Sequence, residues 1–267
     1  MDEMLDSLMP SWEKIAQRYD IVLLDNCAIE GHSKGKTFLE YLFDDDDKEG
    51  SLRGLQSYEN RHGVVSLVTD AYDNICTIPE VSEELDRLLV HFRRNFNHLI
   101  RAPIEVKESF PDFGERVRTL RHIIQDFREI KKLSERNKID DPEYGRFANL
   151  YHAFSAAADR DFGVTDNRLS ARGIYENLKG RKAAIITDDG DQLYIMKAAF
   201  PALLGIASDK VLEKLKKNYT QVFMPGKKNN LRYDLAYSTT FLHLPRVPES
   251  AAHHAPELKE AMDRISS

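Results

Sequence analysis

The chain has 267 residues, a formal net charge of -6 and a hydrophobic fraction of 42%. That length suits one α/β domain carrying insertions, and the apolar content excludes disorder as the default state. The mild acidity excludes a uniformly basic surface, so any polyanion site has to be local.

Only Cys27 and Cys76 are present, in no Cys-x-x-Cys or Cys/His spacing, which points to a reduced, cytoplasmic protein without a thiolate zinc site. The opening MDEMLDSLMPSWEKIAQRYD is acidic and amphipathic, unlike a secretory leader, and no apolar run is long enough for a bilayer.

In chain order, Leu5, Leu8, Met9, Trp12 and Ile15 recur at helical spacing, with an interruption near Pro10. The run YDIVLLD over 19–25 reads as a buried central strand ending in a carboxylate. GHSKGK and DDDDKEG then read as loop, the second as a solvated acidic one. A strand is expected at Asn74–Ile78, followed by a helix that Pro79 opens at a position where its missing donor costs nothing. Val81, Leu85, Leu88 and Leu89 mark the buried face of that helix.

From 91 to 138 the pattern is helical and basic, with Phe113, Val117, Leu120, Ile124, Phe127 and Ile130 as one apolar stripe. Twelve Lys and Arg stand there against seven Asp and Glu, a local charge of +5 that leaves -11 for the rest of the chain. A helix is expected over 143–158, and another from Thr165 or Asp166 to Gly180. A strand at 183–187 runs into DDGD, and a helix follows at 193–206. Residues 221–224 and 231–239, split by PGKKNN, read as a strand pair. The polar tail from Pro245 is expected to lack order. Strands alternating with helices predict an α/β fold with a mainly parallel sheet covered on both faces.

The acids fall in a pattern. Two buried strands end in carboxylates, at Asp25 and at Asp188, Asp189 and Asp191. Further acids open helices, at Glu80, Glu83 and Glu84 and at Asp166. The carboxyl ends of parallel strands line the ligand crevice of an open sheet. Acids gathered there repel one another and lose hydration, and a cation relieves both. Oxygen donors without Cys or His suit Mg²⁺ or Mn²⁺.

These residues resemble the PIN-domain family of metal-dependent nucleases. IVLLDNCAI with Asp25 resembles the first family motif, and IPEVSEELDRL the second. DNRLSA, with Asp166, Leu169 and Ala171, resembles the third. ITDDGDQL, with Thr187, Asp189 and Asp191, resembles the fourth. The order agrees, and the resemblance covers about half of the chain. In the second motif both Glu83 and Glu84 are candidates, with Glu84 preferred because Leu85 follows it.

The resemblance implies a three-layer α/β/α core over about 19–90 and 160–240 in a single domain, with a helical insertion over about 91–160 and a C-terminal strand pair. It implies hydrolysis of RNA, or of single-stranded DNA, at a Mg²⁺ or Mn²⁺ site. Asp25, Glu84, Asp166 and Asp189 would be the catalytic and metal-binding set, and Asp191 a further ligand. Asn26, Glu83, Thr187 and Asp188 would support them. Arg93, Arg94, Arg101, Arg118, Arg121, Lys131 and Lys132 would supply backbone contacts to nucleic acid. Dimers are common in the family, so a homodimer is one expected partner state, and a protein partner or antitoxin another, although the chain is long for a minimal toxin.

Each position also has a plainer reading. Asp25 can cap a turn or helix, the DDGD stretch can be a turn, Asp166 and the glutamates can sit in first helical turns, and a charge-rich helix is usually a solvated face. Two functional rivals remain: a catalytically silent module of the same fold that binds RNA or a protein, and a flap-endonuclease-like DNA nuclease. A haloacid-dehalogenase-type phosphatase would need an Asp where Cys27 stands. Cys27 as a nucleophile would need an activating His, and none is close in sequence.

Overall fold

The computed structural model describes residues 10–30, 32–33, 36–37, 72–109, 113–136, 139, 141–158, 163–226, 229–240 and 247–267. The start of the N-terminal apolar stripe (Leu5, Leu8 and Met9) and the acidic DDDDKEG stretch lie outside the described residues.

Helix α1 (Trp12–Arg18) leads into β1 (Ile21–Leu24), and the short α2 (Asn26–Glu30) starts directly after Asp25. A small antiparallel hairpin, β2 (His32–Ser33) and β3 (Lys36–Thr37), stands apart from the main sheet. Strand β4 (Ile75–Cys76) precedes α3 (Pro79–Arg101), which is continuous, so the helix opened by Pro79 and the start of the basic stretch are one element. Helices α4 (Ile104–Ser109) and α5 (Phe113–Glu135) follow, then α6 (Pro142–Ala158) and α7 (Val164–Leu178). Strand β5 (Ala183–Ile186), α8 (Gly190–Ile206), α9 (Asp209–Lys217), β6 (Thr220–Gly226) and β7 (Asn229–Ser238) come next. The described chain closes on α10 (Ala255–Ile265).

The main sheet has the order β4-β1-β5-β6-β7. The first four strands are parallel, and β7 runs antiparallel to β6 with register shifts at Val222/Phe223 and Pro225/Gly226. Every residue of β1 and of β5 is buried. Successive strand residues point to opposite faces, so both faces are covered, as the unbroken apolar runs predict. The result is an α/β fold with a mostly parallel sheet between helical layers and a C-terminal strand pair.

Side chains tie the strand ends together. Asn74 Nδ2 donates to the carbonyls of Ala16 and Tyr19, each at 2.7 Å, and Thr77 Oγ1 donates to the Leu24 carbonyl at 2.7 Å. Trp12 is buried against Tyr233 of β7, with ring centroids 5.8 Å apart. Gly180 ends α7 at φ 88°, a left-handed position that glycine takes without a Cβ clash. Its N–H bonds the Asn177 carbonyl and that of Arg181 the Glu176 carbonyl, which closes a Schellman turn.

Three expectations need correction. GHSKGK, expected as loop, contributes His32–Ser33 and Lys36 to the β2–β3 pair. The tail does not lack order. Leu258, Ala261, Met262 and Ile265 recur at helical spacing on α10 and are buried in a cluster with Phe147, Tyr151 and Phe154 of α6. The intervening polar residues masked that stripe. Helix α8 begins at Gly190 rather than 193 because Asp189 caps it: its carboxylate accepts the Asp191 N–H at 2.9 Å. Helix α9, capped by Ser208, lies on a stretch where no element was expected.

Helix α7 approaches the sheet closely at Gly173. A Cβ there would stand 2.9 Å from Thr220 Cγ2, and the buried Thr220 hydroxyl is held at 2.7 Å by Asn177. Gly173→Ala is therefore expected to cost about 1–3 kcal/mol by overpacking. At Gly145 in α6 an added Cβ meets nothing within 4 Å, so Gly145→Ala is expected to gain up to about 1 kcal/mol. Urea unfolding of the two variants measures both, and equal effects would contradict the tight α7–β6 approach.

Candidate functional site

The chain leaves β1 towards β4 and leaves β5 towards β6, on opposite sides of the sheet. The crevice beyond the carboxyl ends of β1 and β5 is therefore the topological switch point, the usual ligand position in such sheets. Asp25 follows β1, and Thr187 to Asp191 follow β5. The β1–β5 ladder continues past the strands, with the Asp25 N–H donating to the Ile186 carbonyl at 3.0 Å.

Asp25 is only 3% exposed. Thr187 Oγ1 donates to its Oδ2 at 2.7 Å, and the Cys27 thiol donates to the same oxygen at 2.8 Å. Burial raises the Asp25 pKa. The two hydrogen bonds pull it down, and the charges of Asp189 and Glu84 push it up further. Burial, followed by the Asp25 charge, raises the Cys27 thiol well above its ordinary range. A thiol held protonated is a donor and not a nucleophile. The Asp188 N–H in turn donates to Cys27 Sγ at 3.2 Å.

Glu84, on the second turn of α3, accepts from Thr165 Oγ1 through Oε1 and from Asn26 Nδ2 at 3.3 Å through Oε2. It thereby joins α2, α3 and the first turn of α7. Glu83 points away: its side chain is 71% exposed and stands 4.0 Å from Arg87. Of the two candidates in that motif, the structure brings Glu84 to the other acids.

Asp166 lies in the first turn of α7, folded back so that a Cβ on Gly163 would be 3.0 Å from its Oδ2. Its pKa is raised to about 8, by burial first and then by the charges of Asp25, Asp189, Asp191 and Glu84. These five carboxylates thus lie within electrostatic reach of one another. Asp189 Oδ1 is spent on capping α8, while its N–H donates to Thr187 Oγ1 at 2.9 Å. Asp191 is exposed at the rim and Asp188 is half-buried.

As donors the set fits a hard divalent cation, since a cation would offset the repulsion that raises Asp166. Among the described residues, however, no group of three or more His, Cys, Asp or Glu side chains is already arranged to hold a metal ion. The donors converge on the crevice without forming a closed cage.

Arg93, Arg94, Arg101, Arg118 and Arg121 are exposed on α3 and α5, and no hydrogen bond or ion pair among the described residues joins them to these carboxylates. Lys131 is engaged by Asp86 at 2.6 Å and Lys132 by Glu129 at 2.6 Å. Such exposed pairs contribute little to stability. No helix among the described residues is long and apolar enough to cross a membrane.

Two site residues escaped sequence reasoning. Thr165 precedes Asp166 and gave no signal except its place before a helical acid. Cys27 was weighed only as a nucleophile, and the two-residue offset from Asp25 was the signal for its role as donor. The chain matches no protein-family model, no curated protein and no solved structure.

The raised carboxyls fix a pH dependence. A group with a higher pKa folded than unfolded binds more protons in the native state between those two values, so stability falls as pH rises through that interval. For Asp166 the interval runs from the usual carboxylate range to about 8. The metal-free protein is expected to lose thermal stability on going from pH 5 to pH 8 (roughly the span over which such a group titrates), and Asp166→Asn to flatten that slope and raise Tm at the upper end. Parallel slopes for the two proteins in a calorimetric pH series would contradict the carboxylate clustering.

Proposed function

We propose that this chain is a metal-dependent nuclease of the PIN type that hydrolyses phosphodiester bonds of RNA, with single-stranded DNA as the secondary substrate. The observation that carries this reading is Asp166, raised to about 8 by burial and by the charges of four other carboxylates at a sheet switch point. Burial first, and then the mutual repulsion of the acids, weaken a fold and serve no packing purpose, which supports a site arranged for a cationic ligand.

Asp25, Glu84, Asp166 and Asp189 would hold Mg²⁺ or Mn²⁺, with Asp191 at the rim. When bound, the ion polarises the phosphoryl group and lowers the pKa of an attacking water. The protein's own contribution is to fix the donors beforehand. Thr187 and Cys27 hold the Asp25 carboxylate from one side. Thr165 and Asn26 hold both oxygens of Glu84. The α8 cap fixes Asp189. Removing such supporting hydrogen bonds typically costs about 10–100-fold in metal affinity or activity.

The test is incubation of the purified protein with labelled single-stranded RNA and Mn²⁺, beside Asp25→Asn, Asp189→Asn and an EDTA control. Cleavage is expected with the wild type and reduced more than about 100-fold in each variant. Mn²⁺ is expected to raise Tm of the wild type, by an amount equivalent to about 2.7 kcal/mol at a hundredfold excess over Kd. Absence of both cleavage and Mn²⁺ stabilisation would overturn the proposal in favour of a catalytically silent module that binds RNA or a protein partner. Metal stabilisation without cleavage would retain the site and reject RNA as its substrate.

A further inference from the structure

The seam between α3 and α5 opens into a cleft of about 490 Å³ lined by Arg93, Arg121, Arg128, Asn97, Gln125 and Phe96. The cleft is of the size small-ligand sites have. Phe96 and Ile124 are half-buried and pack against the main core, so the floor is anchored rather than a loose surface dimple. None of the three arginines pairs with a described carboxylate. Of the described acids on these two helices, Glu129 is engaged by Lys132 and Asp86 by Lys131.

The cleft is separate from the carboxylate crevice. Arg93 is nine residues beyond Glu84 on α3, which is about two and a half turns and roughly 14 Å along the axis. Half a turn places the two side chains on opposite sides of the helix. The seam with α5 lies on the Arg93 side, where Ser134 Oγ meets Ser82 Oγ at 3.2 Å.

We propose that this cleft binds a nucleotide unit. Three guanidinium groups in one concavity match phosphate oxygens, which they bind through paired N–H donors. The Asn97 and Gln125 amides offer donors and acceptors for a base edge. Phe96 presents an aromatic surface against which a base stacks. A purely anionic ligand would use the arginines and leave the amides and the aromatic floor idle. The unit comes either from a free nucleotide or from a nucleic-acid strand, and the chemistry of recognition is common to both. The inference stands apart from the nuclease reading, because it requires neither the carboxylates nor a metal.

The experiment is titration of the full chain in EDTA with adenosine monophosphate, with a single-stranded RNA of about 12 nucleotides, a length typical of single-strand sites, and with an aspartate-rich peptide. The triple variant Arg93→Gln, Arg121→Gln, Arg128→Gln is compared with Lys210→Gln, Lys216→Gln, Lys217→Gln, which removes the same charge from exposed positions on α9, outside the cleft. The cleft variant is expected to lose at least about tenfold in affinity for the nucleotide-bearing ligands, and the control less than about threefold. Circular dichroism confirms that both variants fold. Tight binding of the monophosphate identifies a free nucleotide as the source, and binding of the RNA alone identifies a strand. Equal losses in the two triple variants, or no loss in either, would overturn the site. Binding of the peptide as tightly as the nucleotides would overturn it in favour of an acidic protein partner. Because no metal is present, loss of the nuclease proposal leaves these outcomes unaffected, and their failure leaves that proposal untouched.

Discussion

A buried carboxylate at the end of a central strand is the constraint around which the rest of this structure is organised. Asp25 is 3% exposed and sits at the carboxyl end of β1, a strand flanked on both sides by parallel partners. Burying a charge there is costly unless it is hydrogen-bonded or compensated. Thr187 and Cys27 supply hydrogen bonds from the neighbouring strand end and from α2, yet the carboxyl still titrates above its usual range because burial and the acids around it outweigh them. The local chain is built to hold this group in place despite the cost, which separates it from an acid that merely terminates a strand.

The same constraint links sheet order to site geometry. Since the chain leaves β1 and β5 in opposite directions, a switch-point crevice lies beyond their ends. Acids from strand ends (Asp25, Asp189) and from helix starts (Glu84, Asp166) can then face one another across it. Asp25 and Glu84 are tethered by elements other than their own and Asp189 by its cap, so the cluster depends on the packing of α2, α3, α7 and α8 together. Gly173 and Thr220 set how near α7 comes to the sheet, and hence where Asp166 stands.

Much of this was legible in the sequence because burial on both faces leaves a simple mark. IVLL and AAII are unbroken apolar runs, the first running into Asp25 and the second reaching Asp188 after Thr187, and each is a fully buried parallel strand. Pro79 and Gly180 punctuate helices for local steric reasons that hold in any fold. What the sequence hid depended on three-dimensional partners. Glu83 and Glu84 look alike in a string, and only the hydrogen bonds of Thr165 and Asn26 distinguish them. Helix α10 has a polar sequence with a narrow apolar stripe, and its order comes from α6, more than ninety residues earlier. The DDGD stretch reads in sequence as a turn or as site residues, and the cap that Asp189 Oδ1 gives α8 emerges only in the fold.

The arginines illustrate the converse limit. In sequence Arg93, Arg94, Arg101, Arg118 and Arg121 form one undifferentiated basic pool with Lys131 and Lys132. Folding sorts them by helical phase: the two lysines are taken up by Asp86 and Glu129, whereas Arg93 and Arg121 join Arg128, which carried no distinguishing mark, around an anchored aromatic floor. Net charge over a window therefore carries less information than the face on which each charge falls. An excess of +5 spread over 91–138 is a solvated surface, but three arginines that line one seam beside two amides and a phenyl ring have a chemical preference. That preference lies on the side of α3 opposite Glu84, so one helix carries an acidic site near its start on one face and a basic cleft farther along on the other.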